Sequence, residues 1–252
     1  MANPIPCAPA STAWAGADAA AVVAARTALV AGATGLVGRE ILQGLLADSQ
    51  ITAVHTLGRR PLPVEHPRLT QHIVDFTGSA TGSFRAWSTL PRVDQAFIAL
   101  GTTIKAAGSQ AAFRAVDFDA VLAVARALRA AGGTRLAVVS AMGADAGSRI
   151  FYNRVKGEME QALRALGFDA LVIARPSVLA GDREALGQPR RAGERIALAL
   201  SRWLAPLIPG NYQAIPASAV AAAMRQALVT GNGVHVLESG EMQDLARPSR
   251  SG

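Results

Sequence analysis

Residues Thr27 to Gly38 read TALVAGATGLVG, a short apolar β-type run that ends in glycine and passes at once into the apolar-periodic stretch LVGREILQGLLAD. Few folds accept that join. Glycines at Gly32, Gly35 and Gly38 allow a tight turn, a close backbone approach and close packing of helix on strand. The helix that follows turns unpaired N–H groups and the positive end of its dipole toward the turn, which suits a pyrophosphate. The spacing is GxxGxxG, not GxGxxG, and its position directly after the first strand is what gives it weight.

The same alternation continues downstream. ITAVHTLG (51–58), QHIVDF (71–76), VDQAFIAL (93–100), RLAVVS (135–140), DALVIAR (169–175) and VHVLE (234–238) read as further strands. Helical patterns lie between them: SQAAFRAVDFDAVLAVARALRAAG, closed by Gly132-Gly133, then RIFYNRVKGEMEQALRALG, and shorter ones around Ile196 to Trp203 and Ser218 to Val229. Short buried strands alternating with helices predict an α/β fold, a doubly wound and mostly parallel sheet of about seven strands with helices on both faces. A single domain is expected over residues 27–238. The Pro/Ala/Ser-rich stretch 1–26 is expected to be a flexible extension, and the polar stretch 239–252 a loose tail. Ligands on such a sheet bind beyond the carboxyl ends of the strands, at the topological switch point.

Composition narrows the partners. Half of the residues are hydrophobic and 17% are charged, too apolar a balance for a disordered chain. A net charge of +7 could serve nucleic acid or an anionic surface. The arginines are scattered, however, with short pairs at Arg59-Arg60 and Arg190-Arg191, and no basic stripe is interleaved with aromatics, so no nucleic acid is expected. No run reaches the roughly 18 to 20 apolar residues of a membrane span. RIALALSRWLAPLIPG comes nearest, and Arg202 and two prolines interrupt it. The first 26 residues lack a basic region before an apolar one, which argues against a secretory signal, and the single cysteine, Cys7, cannot form an internal disulfide. A cytoplasmic location is the expectation. His55, His66, His72 and His235 show no metal-ligand spacing, so no metal site is expected. A GxSxG nucleophile elbow and the lysine of a P-loop are both missing from the sequence.

The candidate phosphate contacts are Gly32, Thr34, Gly35, Leu36, Val37 and Gly38. The end of the second strand then bears on which dinucleotide fits. NAD enzymes place an acidic residue there, about 20 residues beyond the glycines, for the ribose 2′-hydroxyl. This chain reads TLGRRP, and guanidinium groups at Arg59 and Arg60 suit a 2′-phosphate, so NADP(H) is expected in preference to NAD(H). Asp75-Phe76 ends the third strand, where the carboxylate could accept from an adenine amino group or serve a turn. Leu100, Gly101, Thr102 and Thr103 end the fourth strand and are candidates for the cofactor ribose.

IFYNRVKGEME places Tyr152 and Lys156 four residues apart in a helical stretch, on one face. The chain has two tyrosines and two lysines, and scattering so few would give this spacing roughly once in sixty tries. A free phenol ionises near pH 10, and a neighbouring ammonium favours the phenolate needed for acid–base work. Ser140 ends the fifth strand, twelve residues before Tyr152, where a hydroxyl could donate to a substrate oxygen.

Taken together, GATGLVG, LGRR, VDF, LGTT, VKGEME and ARPSVLAGDRE resemble atypical short-chain dehydrogenases/reductases, and within them the Tat-interacting-protein-like group of NADPH-binding proteins, from about Thr27 to Leu237. The resemblance implies a Rossmann fold with NADPH held by Gly32 to Gly38 and by Arg59-Arg60. It implies further contacts from Leu100 to Thr103, Tyr152, Lys156 and the RPSV turn at Pro176, Ser177 and Val178, with Ser140, Tyr152 and Lys156 as the catalytic serine, tyrosine and lysine. One departure is Asp117, in RAVDFDAV, where many members carry an asparagine used in proton relay. Little sequence remains for the substrate subdomain of nucleotide-sugar epimerases, which favours a small carbonyl or alcohol substrate. The expected function is an NADPH-dependent oxidoreductase with Tyr152 as proton donor. The alternative is a non-catalytic NADPH-binding regulatory or assembly protein, with a partner surface at the Arg183 loop and the Ile196 to Pro209 segment. The apolar helices near the C-terminus could support a homodimer.

Overall fold

β1 (Arg26–Ala31) is apolar at successive positions because both of its faces are covered. Ala28 and Val30 join one core with Ile41, Leu45, Val220 and Met224, while Leu29 and Ala31 join a second with Ile98, Val124, Leu128 and Met159. Successive strand side chains point to opposite faces, so an unbroken apolar run is what the centre of a helix-covered parallel sheet requires. Each fully buried Leu, Ile or Phe contributes about 1.5–3 kcal/mol relative to exposure.

The computed structural model describes residues 25–76, 92–180 and 213–247. The expected helix around Ile196 to Trp203, the Arg183 loop, the Ile196 to Pro209 surface, nearly all of the 1–26 extension and the last five residues lie outside the described residues. After β1 come α1 (Leu36–Ala47), β2 (Ile51–Gly58), β3 (Leu69–Ile73) and β4 (Gln95–Ile98). A short helix, α2 (Ile104–Ala107), leads into α3 (Gln110–Arg114), a π-helical turn (Ala115–Ala120) and α4 (Val121–Ala130). β5 (Arg135–Val139), α5 (Phe151–Arg164), β6 (Ala170–Arg175), β7 (Leu179–Ala180), β8 (Ile215–Pro216), α6 (Ala217–Thr230), β9 (Gly233–Glu238) and α7 (Ser239–Leu245) complete the order.

Seven strands form one sheet in the order β3-β2-β1-β4-β5-β6-β9, and every neighbouring pair is parallel. β7 and β8 form a separate parallel pair. The chain steps outward from β1 to β3, returns to the centre at β4, and steps outward the other way. The switch point therefore lies between β1 and β4, and the loops beginning at Gly32 and Ala99 flank it.

Arginines tie helix ends to the sheet. Arg68 donates to the carbonyls of Leu46 in the last turn of α1, of Asp48 just past it and of Ile51 at the start of β2. Arg135 on β5 donates to the Leu228 carbonyl at 2.9 Å through Nε and to that of Gly231 at 2.6 Å, satisfying carbonyls left open at the end of α6. Gly132, at φ +84°, ends the helix after α4 as its sequence implies.

Two expectations change. The long helical pattern from Ser109 is not one α-helix, because its middle widens into the π turn that carries Asp117. The tail expected to be loose from Ser239 begins with α7, held by a fully buried Met242 and by Ser239, whose hydroxyl bonds to Ser177.

Candidate nucleotide and proton-transfer site

Two of the glycines in the turn leave no room for a side chain. Gly32 sits at φ +89°, and a Cβ there would lie 2.6 Å from the Ala99 carbonyl oxygen across the switch point. A Cβ on Gly38 would lie 2.2 Å from the Gly32 carbonyl oxygen, so this glycine lets the first turn of α1 press against the loop. Gly35 is the N-cap of α1. No side chain caps that end and no acidic residue lies in its first turn, which leaves the helix's own N–H groups open to an anion among the described residues. Val37 is buried and anchors the helix, Leu36 is half-buried against the core, and Thr34 is exposed at the tip. This open cradle fits the pyrophosphate of a dinucleotide.

Beside it runs a cavity lined by Ala33, Thr34, Thr56, Arg60, Gln71 and His72. Arg59 and Arg60 are both exposed, and of the two Arg60 borders the hollow beside the glycine turn. Sequence reasoning missed Gln71, whose amide spans the following loop by accepting from Leu62 N at 2.7 Å and donating to Val64 O at 3.0 Å. It also missed His72, whose Nε2 lies 3.1 Å from Nδ1 of His55. Burial and the neighbouring His72 together hold the His55 imidazole below its ordinary value of 6.5. Asp75 is exposed just past β3, while Phe76 turns into the second core and is 8% exposed.

At the end of β4, Leu100 packs against the core and Gly101 is exposed. The Thr102 backbone N–H donates to Asp117 Oδ2 at 2.9 Å. The Thr103 hydroxyl accepts from Ala106 N at 3.1 Å and caps α2, a use that a ribose contact would share. Pro176 is buried, and its carbonyl accepts from Met142 N at 3.1 Å. The Ser177 backbone N–H donates to the Ser239 hydroxyl at 2.8 Å, and Val178 is exposed.

Tyr152 and Lys156 occupy successive turns of α5, as their spacing implies. The Tyr152 ring lies 5.4 Å from that of Phe113 and is half-buried. Lys156 is buried, with Nζ 2.7 Å from Asp117 Oδ1. Ser140 is placed differently from expectation. Its hydroxyl donates at 2.6 Å to Glu160, a fully buried carboxylate. Arg175 grips the same carboxylate through two bonds, of 2.9 and 2.7 Å, and Arg164 approaches at 3.3 Å. A buried carboxylate needs that many donors, and the serine is one of them.

Gly157 was not singled out by its sequence, yet it fixes the loop after β5. A Cβ there would lie 2.1 Å from Ala146 N, so backbone packs directly onto the helix, and Asp145 N donates to Asn153 O at 3.0 Å. The signal was a glycine inside an otherwise strong helical pattern, which costs about 1 kcal/mol unless packing needs it. Among the described residues, no cluster of His, Cys, Asp and Glu could hold a metal ion, and no helix is long and apolar enough to cross a membrane.

A Rossmann-type sheet whose switch point carries a tight glycine turn and an open helix N-terminus is the architecture of an NAD(P)-binding protein. The NAD(P)H-binding family model matches residues 32–203. Protein HTATIP2 of Rattus norvegicus is 32% identical over 231 residues, covering 89% of this chain and 90% of that protein. Mitochondrial protein fmp52 of Emericella nidulans is 38% identical over 162 residues, 64% of this chain and 69% of that protein. The chain belongs to this NAD(P)H-binding family of atypical short-chain dehydrogenases/reductases. Among solved structures, WbmF of Bordetella bronchiseptica in complex with NAD+ superposes with a TM-score of 0.62 at 19% identity, over 89% of this chain and 77% of that one. UDP-glucose 4-epimerase of Thermotoga maritima gives 0.63 at 16%, over 85% and 77%. Those likenesses concern the fold alone. The cytoplasmic expectation is overturned, because the fmp52 relatives of several fungi are named as mitochondrial.

Proposed function

We propose that the protein is an NADP(H)-preferring oxidoreductase that interconverts a small carbonyl compound and its alcohol. The observation that supports this reading is the link from the Tyr152–Lys156 face of α5, through Asp117, to the loop after β4 that flanks the switch point opposite the glycine cradle. Bound NADPH would supply the hydride to the carbonyl carbon. Tyr152 would give its phenolic proton to the carbonyl oxygen, completing the alcohol, and Lys156 would hold the ribose and stabilise the phenolate left behind. Arg60, together with Arg59, would pair with the 2′-phosphate.

Replacing Tyr152 with Phe is expected to abolish turnover of carbonyl substrates while leaving NADPH affinity within about threefold, since the hydroxyl acts on the reacting oxygen. Wild-type rates in Tyr152→Phe would rule the mechanism out.

A second reading, a non-catalytic NADPH-binding regulatory or assembly protein, is favoured by one observation: the Ser140 hydroxyl is committed to Glu160. With no serine to steady the carbonyl oxygen, turnover would be slow. Ser140→Ala separates the two readings, because a substrate-facing serine makes it cost 10²-fold or more in kcat, whereas a serine serving Glu160 makes it cost stability instead.

A further inference from the structure

Beneath the loop that follows β4, one carboxylate holds two parts of the site together. Asp117 Oδ1 pairs with Lys156 Nζ at 2.7 Å, the side chains being 1% and 4% exposed. Its Oδ2 accepts from Thr102 N at 2.9 Å. A Cβ built on Gly101 would stand 3.4 Å from Asp117 Oδ1, so the loop lies directly over the ion pair. The π turn places this residue, with Phe113 one turn earlier packed on Tyr152.

Taking an ammonium and a carboxylate out of water costs several kcal/mol per ion. An asparagine could accept from Thr102 N through its amide oxygen without that cost, so the hydrogen bond alone does not account for a charged residue here. What the charge adds is cancellation of the Lys156 ammonium in a poorly solvated place, where an uncancelled charge acts over many ångströms. Among the described residues the other buried carboxylate, Glu160, is already balanced by Arg175 and Arg164.

We propose that Asp117 is a positioning residue that compensates the charge of Lys156 and thereby shifts the nucleotide site toward the oxidised form of the cofactor. This rests on the reading of the site as an NADP(H) site. The oxidised nicotinamide ring carries a positive charge that the reduced ring lacks. A lone ammonium beside the ribose would oppose that ring, whereas a neutralised pair leaves the two forms more evenly matched.

The test is the ratio of dissociation constants for NADP+ and NADPH, measured by fluorescence titration on the full chain. In Asp117→Asn the ratio Kd(NADP+)/Kd(NADPH) is expected to rise about tenfold, and in Lys156→Met, which leaves the carboxylate uncancelled, to fall by about as much. A purely structural role would weaken both forms alike and leave the ratio unmoved. Binding of both forms by the wild type, with a ratio unchanged in Asp117→Asn, overturns the proposal. Should Asp117→Asn fail to fold, Lys156→Met decides, and a ratio that stays or rises overturns it. A wild type that binds neither nucleotide brings down the NADP(H) reading itself, and this inference with it.

Discussion

At the scale of single residues, a histidine pair on β2 and β3 makes the fold sensitive to pH. His55 on β2 and His72 on β3 share one hydrogen between nitrogens 3.1 Å apart, and burial with the neighbour's charge keeps His55 below 6.5. The unfolded chain takes up that proton more readily than the native one. Stability is therefore fully present above pH 6.5 and is lost as pH falls through 6.5 toward the lower native value. Urea midpoints measured at pH 7.5 and 5.5 are expected to fall for the wild type and to fall less for His55→Gln, since glutamine keeps a polar partner for His72 without titrating. Equal falls in the two proteins would mean that the acid sensitivity lies elsewhere. Residue identity also shows where reading the sequence stops. Tyr152 and Lys156 were legible because a helix fixes residues four apart on one face, whatever surrounds them. The direction of Ser140 was not, because it depends on Glu160 twenty residues onward and on Arg175 from another strand.

Elements were legible where their pattern is local. The apolar run of β1, the glycines around Gly35 and the Gly132-Gly133 stop each announce themselves within a dozen residues. The π turn did not, since the sequence through Ala115–Ala120 keeps an ordinary helical pattern and the extra residue shows only when Asp117 reaches both Thr102 and Lys156. Nor did α7, whose polar surface hides one buried methionine. Helix α5 belongs between these cases, with its Tyr152–Lys156 face visible in sequence and its packing face not. Gly157 on that packing face lets the Asp145–Ala146 backbone touch the helix, with a would-be Cβ 2.1 Å from Ala146 N. The nearest atoms are backbone and cannot swing aside. Gly157→Ala is thus expected to lose about 2–4 kcal/mol of stability despite alanine's better helix propensity, and to displace the loop that leads into Tyr152. Chemical denaturation reads the first effect. An alanine variant as stable as the wild type would show that the loop can lift away at little cost.

Over the whole molecule, the parallel sheet gathers candidate residues at its carboxyl edge: Gly32 after β1, Arg60 after β2, Thr102 after β4, Ser140 after β5 and Pro176 after β6. A ligand lying across the switch point touches segments from both halves of the sheet, so its binding must stabilise the entire fold. Linkage gives the size: a nucleotide at a hundred times its dissociation constant adds about 2.7 kcal/mol, which for a domain of this length raises Tm by roughly 5–10 °C. NADPH is expected to give that shift, and NADH at the same concentration a much smaller one. The difference should depend on Arg60 more than on Arg59, because only Arg60 lines the cavity beside the glycine turn. Arg60→Ala is accordingly expected to bring the NADPH shift down to the NADH level, with Arg59→Ala losing a fraction of it. A wild type that responds equally to both nucleotides would remove the 2′-phosphate from the reading and leave the cradle as a site for the pyrophosphate alone.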